Sequence, residues 1–216
     1  VWAVAAQSLR ALMAGPGGVA LVLMPLFLLL VAPEIMQHMG VPKAPSTRLL
    51  TGFISANGDL LGMVMPLLVI FCAGGLVWRE REAGVSELAD AAPTPDWVPF
   101  LGKLAGLALM IVLLQAALTA TSLLIQVGLG HAAFEPRVYL SVLFGLKLAD
   151  HLLFVLLGLG VHVLVDQKHA GHAVLLLVYG LRFFGPSVGL EDPLWVYGSD
   201  PGWEYNDLSG FGPHLT

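Results

Sequence analysis

Residues 104–134 read LAGLALMIVLLQAALTATSLLIQVGLGHAAF, 31 consecutive residues without a formal charge. About 20 such residues in a helix cross the ~30 Å hydrocarbon core of a bilayer, so this stretch is long enough to span one. Its apolar residues fall on every side instead of alternating at every second position, which disfavours a transmembrane β-strand and leaves a helix. Comparable windows lie on both sides of it. Between Arg10 and Glu34 run 23 uncharged residues containing VALVLMPLFLLLVAP, with Pro16, Gly17 and Gly18 ahead of the dense part and Pro25 and Pro33 within it. Another 19 run from 60 to 78, bounded by Asp59 and Arg79. Two further windows carry polar inserts: 138–165 holds Lys147, Asp150 and His151, and 169–190 holds Arg182.

Composition agrees with this reading. Of 216 residues, 57% are hydrophobic and 12% charged, with a mean hydropathy of +0.82, which no single water-soluble core with a polar shell would carry. Secreted, disordered and fibrous classes fall away. The lone Cys72 excludes an intrachain disulfide and a CxxC metal site. All ten basic residues lie at or before Arg182, where ten acids balance them; Glu191, Asp192, Asp200, Glu204 and Asp207 then supply the whole net charge of -5. A basic footprint for nucleic acid is lacking, so the expected surroundings are the lipid bilayer and protein partners, not nucleic acid.

These windows predict an all-α, polytopic transmembrane helix bundle of about five spans, at 16–38, 58–78, 104–130, 138–165 and 170–190. Residues 1–190 form the transmembrane domain and 191–216 an acidic, aromatic extracytoplasmic loop. The N-terminal VWAVAAQSLRALMA, with Val1, Val4, Ala5, Leu9 and Leu12 on one side, fits an interfacial helix. It has neither the pattern of a signal peptide nor an initiating Met, so the chain is expected to be a fragment. With the N-terminus inside, Arg10, Arg79, Arg81, Lys103 and Lys168 are cytoplasmic against Lys43, Arg48 and Arg137 outside, the sense of the positive-inside rule.

The long polar connection at 79–103, after Trp78, is expected to form a short amphipathic helix. Val85, Leu88, Ala89 and Ala92 make one apolar stripe, while Glu80, Glu82, Glu87 and Asp90 fall on the remaining surface. Pro93 and Pro95 end it, Asp96 sits where an N-cap belongs, and Pro99 follows in the first turn of the third span. A plain solvated loop is the competing reading.

The run Glu80, Arg81, Glu82, Gly84 right after the second span, the turn at Pro93 and Pro95, and Leu101, Gly102 and Lys103 leading into the third resemble the cytoplasmic loop of type 2 ABC exporter permeases. The stretches DAAPTPDWVPFLGK, DHLLFVLLGLGVHVLVDQKHAGH and YGSDPGWEYNDLSGFG extend the likeness over about the last two thirds of the chain. They resemble most the membrane portion of bacterial proteins that fuse an ABC permease to a gluzincin-type zinc aminopeptidase. The resemblance implies a coupling helix in which Arg79, Glu80, Arg81, Glu82, Gly84, Val85, Glu87, Leu88 and Asp90 dock on a separate ATP-binding subunit. It also implies a second permease half or a homodimer, the bacterial inner membrane as location, and a sixth span after the acidic loop. The family's Thr after Gly is Val85 here. The chain contains no His-Glu-x-x-His, so the peptidase would lie outside it, and no G-x-x-x-x-G-K-[ST], so ATP hydrolysis would belong to the partner.

Polar groups at span depth offer other chemistries. Lys147, His151, Gly158 and His162, spaced by 4, 7 and 4, share one helix face with Asp150 beside them. A Lys147–Asp150 pair would offset the cost of two charges in lipid. The stripe then faces a translocation path or a dimer seam, or it is an ion pair with two packing histidines. Arg182 either snorkels outward or pairs with Asp150. His151 and His162 are about 16 Å apart along the helix, and His38, His131, His169, His172 and His214 lie at span ends or in loops, which argues against haem. His169 and His172 form an H-x-x-H too sparse for zinc. No cofactor and no metal are therefore expected. In the tail, Trp195, Tyr197, Trp203, Tyr205 and Phe211 suit an interfacial belt or a docking surface. The leading expectation is a transport subunit without enzymatic activity of its own; the alternatives are a membrane anchor for a fused or associated zinc aminopeptidase and an intramembrane enzyme or haem protein.

Overall fold

The computed structural model describes residues 1–38, 40, 46–55, 60–85, 94–95, 97–130, 135–185, 189 and 197. Among the described residues the chain is helical throughout, with no strand. Helix α1, Trp2–Met13, turns at Ala14 and Gly15 into α2, Pro16–His38. Pro16 opens α2, where its missing N–H would have no partner in any case. A short helix, α3 (Thr47–Ser55), precedes α4 (Leu60–Glu82), and α5 follows as an unbroken helix over Trp97–Gly128. Next comes α6, Pro136–Leu164, whose stretch Leu140–Lys147 winds as a π-helix, and then α7, Lys168–Phe184.

Four of these helices, over Pro16–Ile35, Met63–Glu82, Trp97–Gly128 and Pro136–Leu164, are long and apolar enough to cross a membrane. The fifth expected span corresponds to α7, which has 17 residues and so rises about 25 Å, short of the ~30 Å hydrocarbon core. The second span runs on to Glu82, past the expected end at 78, and the helix of the third starts at Trp97, directly after the expected N-cap and ahead of the apolar run expected from 104. Neither α3 nor the π-helical turns of α6 are announced by the sequence.

The core is the seam where α4, α5 and α6 meet. Val69, Ile70 and Ala73 of α4 are fully buried there with Leu107, Ile111 and Leu114 of α5 and Leu143, Val155 and Leu159 of α6. Leu175 of α7 closes it. On the far side of α5, α1 lies in a notch made by Gly102 and Gly106. A Cβ on Gly102 would stand 2.5 Å from Val4 Cβ, and one on Gly106 would stand 2.6 Å from Ser8 Cβ. Only two glycines one turn apart let the backbones approach this closely, the small-residue packing on which helices in lipid depend. Outward, Leu23 and Leu30 of α2, Leu124 and Val127 of α5, Leu156 of α6 and Leu177 of α7 stand exposed. An apolar girdle of that extent suits acyl chains and not water.

Candidate functional site

The last turn of α4 carries Arg79, Glu80, Arg81 and Glu82, and three of these four are tied to other helices. Lys103 Nζ of α5 donates to Glu80 Oε2 at 2.8 Å, and Lys168 Nζ of α7 donates to Glu82 Oε1 at 2.6 Å. Arg81 lies over the Trp78 ring, 4.7 Å from its centroid, and pairs with Asp166 in the α6–α7 turn. One helix end is thus cross-linked to the start of α5 and to the hairpin between α6 and α7. Arg79 makes no ion pair with the described residues. It lines a groove of about 290 Å³ with Ala11, Pro16, Cys72 and Gly75, between the α1–α2 elbow and α4. Arg137, expected on the opposite side, opens α6 at the end away from Asp166.

The helix stops where the chemistry of glycine makes it stop. Gly84 has φ +69°, its N–H reaches Arg81 O at 3.1 Å, and Val85 N–H reaches Glu80 O at 3.0 Å. This crossed pair of bonds around a left-handed glycine is a Schellman C-cap. It corrects the expectation of one amphipathic helix from Glu80 to Asp90: Glu80, Arg81 and Glu82 belong to the second span, and Val85 begins beyond its cap, exposed. Glu87, Leu88 and Asp90 lie outside the described residues, as do Ala89, Ala92, Pro93 and Asp96. Helix α5 opens at Trp97 with Pro99 in its first turn, as expected.

At span depth the face shared by Lys147, His151, Gly158 and His162 is turned inward: all four are buried. A Cβ on Gly158 would touch Ala73 and Val69, so the stripe packs on α4 inside the bundle and is not presented to a second subunit. Asp150, beside it, is held by Arg182 across the helices, Nη2 to Oδ1 at 2.7 Å, with the two side chains 20% and 12% exposed. Of the two fates open to Arg182, pairing is the one realised, so Asp150 has a partner on α7.

A second buried polar node escaped the sequence reading. Gln126 of α5 donates from Nε2 to Thr47 Oγ1 of α3 at 3.2 Å and accepts from Tyr139 OH of α6 at 3.1 Å. All three are almost fully buried. Further along α5, Gln115 donates from Nε2 to Leu143 O, the carbonyl that also takes the Leu148 N–H across the π-helical turn. Glutamine within an uncharged span was the available signal, but it names no partner. Of the aromatic tail, the structure describes Tyr197, whose hydroxyl donates to Leu153 O at 3.0 Å; Trp195, Trp203, Tyr205 and Phe211 lie outside the described residues, with His131 and His214. Among the described residues, no three His, Cys, Asp or Glu side chains converge as a metal site.

No family model matches the chain, and no curated protein or solved structure matches it either.

Proposed function

We propose that this chain is a membrane-spanning permease subunit of an ABC-type exporter, coupling ATP hydrolysis by a separate nucleotide-binding subunit to movement of a substrate across the bacterial inner membrane. The observation that carries the reading is the cross-linked end of α4. Glu80, Arg81 and Glu82 bind α5, the α6–α7 turn and α7, so a force applied to the connection between α4 and α5 is shared by four helices at once. Exposed ion pairs are individually weak, a few tenths to about 1 kcal/mol, but three of them around one helix terminus fix its direction. The Schellman cap then aims the chain out of the bundle at Val85, an apolar residue left exposed next to this charged collar. An apolar contact ringed by charge is the arrangement that protein interfaces use. The resemblance of 79–103 to a coupling segment agrees with it, and in this proposal hydrolysis belongs to the partner, since residues 1–216 contain no G-x-x-x-x-G-K-[ST]. In the same proposal α7 is the fifth span, and a second permease half completes the pathway.

The test is ATP hydrolysis by the reconstituted complex of the full-length protein with its ATP-binding subunit. Val85→Glu places a charge at the centre of the contact and should lower both association and stimulated hydrolysis at least tenfold. Gly84→Val, which abolishes the left-handed cap, should leave association largely intact and reduce stimulation. Wild-type association and stimulation in both variants, with normal helix content, would sink the reading.

A further inference from the structure

Of the basic side chains gathered at the end of α4, three have counter-ions and one has none. Lys103 holds Glu80, Lys168 holds Glu82 and Arg81 holds Asp166, so these three acids of the collar are engaged. Arg79 is exposed, and its side chain makes neither an ion pair nor a hydrogen bond with the described residues. A second such cation is close by in the chain's course. Arg10, in the last turn of α1, stands one turn before Ala14 on the same side of that helix, exposed and equally unpaired among the described residues.

The groove below Arg79, about 290 Å³, is apolar. Phe71, Cys72, Gly75 and Leu76 make its α4 wall, and Ala11, Ala14 and Pro16 of the α1–α2 elbow face them. From Phe71 to Arg79 the helix rises about 12 Å, so the groove passes from a guanidinium at one end to an aromatic ring at the other. Cys72 and Leu76 are its buried floor, 1% and 4% exposed. Gly75 between them is open: a Cβ there would meet nothing within 4 Å. Phe71 is braced by the His172 ring, centroids 5.5 Å apart. Both Gly75 and Phe71 are exposed, so the groove opens outward onto the apolar girdle instead of into the bundle.

We propose that this groove holds an anionic phospholipid, its phosphate on Arg79 and the start of one acyl chain laid over Gly75 toward Phe71. The polarity of the groove is that of an amphiphile. A guanidinium matches a phosphate bidentately and keeps its charge at any working pH, and basic pockets between membrane helices take acidic lipid head groups. A soluble anion would use the arginine but not the 12 Å of apolar wall that follows it. A zwitterionic head would bring an ammonium of its own, and the collar acids that could receive it, Glu80, Glu82 and Asp166, already hold other cations. Arg10 adds a second positive charge on the elbow side, which favours a head with net negative charge. The site stands whether or not the chain is a transport subunit.

The test titrates dioleoyl phosphatidylglycerol into the full-length protein in a neutral detergent, with bound lipid counted by native mass spectrometry. Dioleoyl phosphatidylcholine and glycerol 3-phosphate are the comparison probes. The wild type should retain one phosphatidylglycerol in preference to phosphatidylcholine, and excess glycerol 3-phosphate should not displace it. Arg79→Gln should weaken retention about fivefold or more. Gly75→Leu, which fills the groove from a position with open space around it, should do the same while Arg79 stays in place. Arg137→Gln removes a charge at the other end of α6 and should change nothing. Phosphatidylglycerol should also raise Tm in the wild type and in Arg137→Gln alone, by mass action on the folded state. Neither Arg79 nor Gly75 has a packing partner to lose, and each variant tests the site without the other. Equal retention of the two lipids, displacement by glycerol 3-phosphate, wild-type retention in Arg79→Gln or in Gly75→Leu, or an equal loss in Arg137→Gln would each overturn the proposal.

Discussion

A single residue decides how charge is tolerated inside this bundle. Asp150 has Lys147 three positions away on its own helix, the pair that spacing alone suggests, and its carboxylate also takes the Arg182 guanidinium of α7 at 2.7 Å. Sequence spacing sees only neighbours on one helix, and the planar guanidinium, reaching across, holds a carboxylate more firmly than an ammonium does. Two consequences follow for stability. Asp150→Asn and Arg182→Gln should each destabilise by about 3 kcal/mol, because each leaves a charge largely buried and unpaired. The double variant should lose less than the two losses added, since no lone charge remains. Thermal unfolding of the three variants in detergent measures the coupling. Additive losses would show that the two side chains do not meet in solution.

Among the elements, the long helices were legible and the short ones were not. An uncharged run fixes a span because lipid forbids unpaired backbone whatever the tertiary surroundings, so 16–38 appears with the expected bounds and α4, α5 and α6 appear close to theirs. The π-helical turns at Leu140–Lys147 and the helix Thr47–Ser55 depend instead on what packs beside them, Gln115 on Leu143 O and Gln126 on Thr47, which no local pattern records. The end of α4 is encoded locally: Gly84 after Glu82 is a C-cap signal, and it overrides the amphipathic spacing that runs on beyond it. The notch for α1 was likewise present as Gly102-x-x-x-Gly106. Gly106→Val would drive its Cβ to within 2.6 Å of Ser8 Cβ and 2.9 Å of Ala5 O, where backbone must yield. It should cost about 1–3 kcal/mol and detach α1 from α5, read as a lower Tm and faster proteolysis within residues 1–15. An unchanged Tm would mean that the two helices do not pack at this notch.

At the scale of the molecule, the charges sort by end. The collar of Arg79, Arg81, Lys103 and Lys168 stands at the junction of α4, α5 and the α6–α7 turn, while Arg137 opens α6 at its other end. The positive-inside rule therefore predicts a cytoplasmic collar, with Thr94 on its side and Glu135 beyond the far end of the 32-residue α5. Single cysteines at these two exposed positions, in a Cys72→Ala background, should be labelled by an impermeant thiol reagent from opposite sides, Thr94 from the cytoplasm; labelling of both from one side would mean that α5 does not cross. A third cysteine at Ser199 decides what the lengths leave between four spans and five. Helix α7 starts at the collar with Lys168 and has 17 residues, about 25 Å of rise. To cross, it needs the bilayer to thin by a few ångströms, at fractions of a kcal/mol per ångström. Arg182, near its far end and neutralised by Asp150, lowers the cost of carrying that end through. Ser199 should accordingly label together with Glu135. Labelling from the side of Thr94 would make α7 a re-entrant helix packed on α4 and α6, and would remove the fifth span from the permease reading.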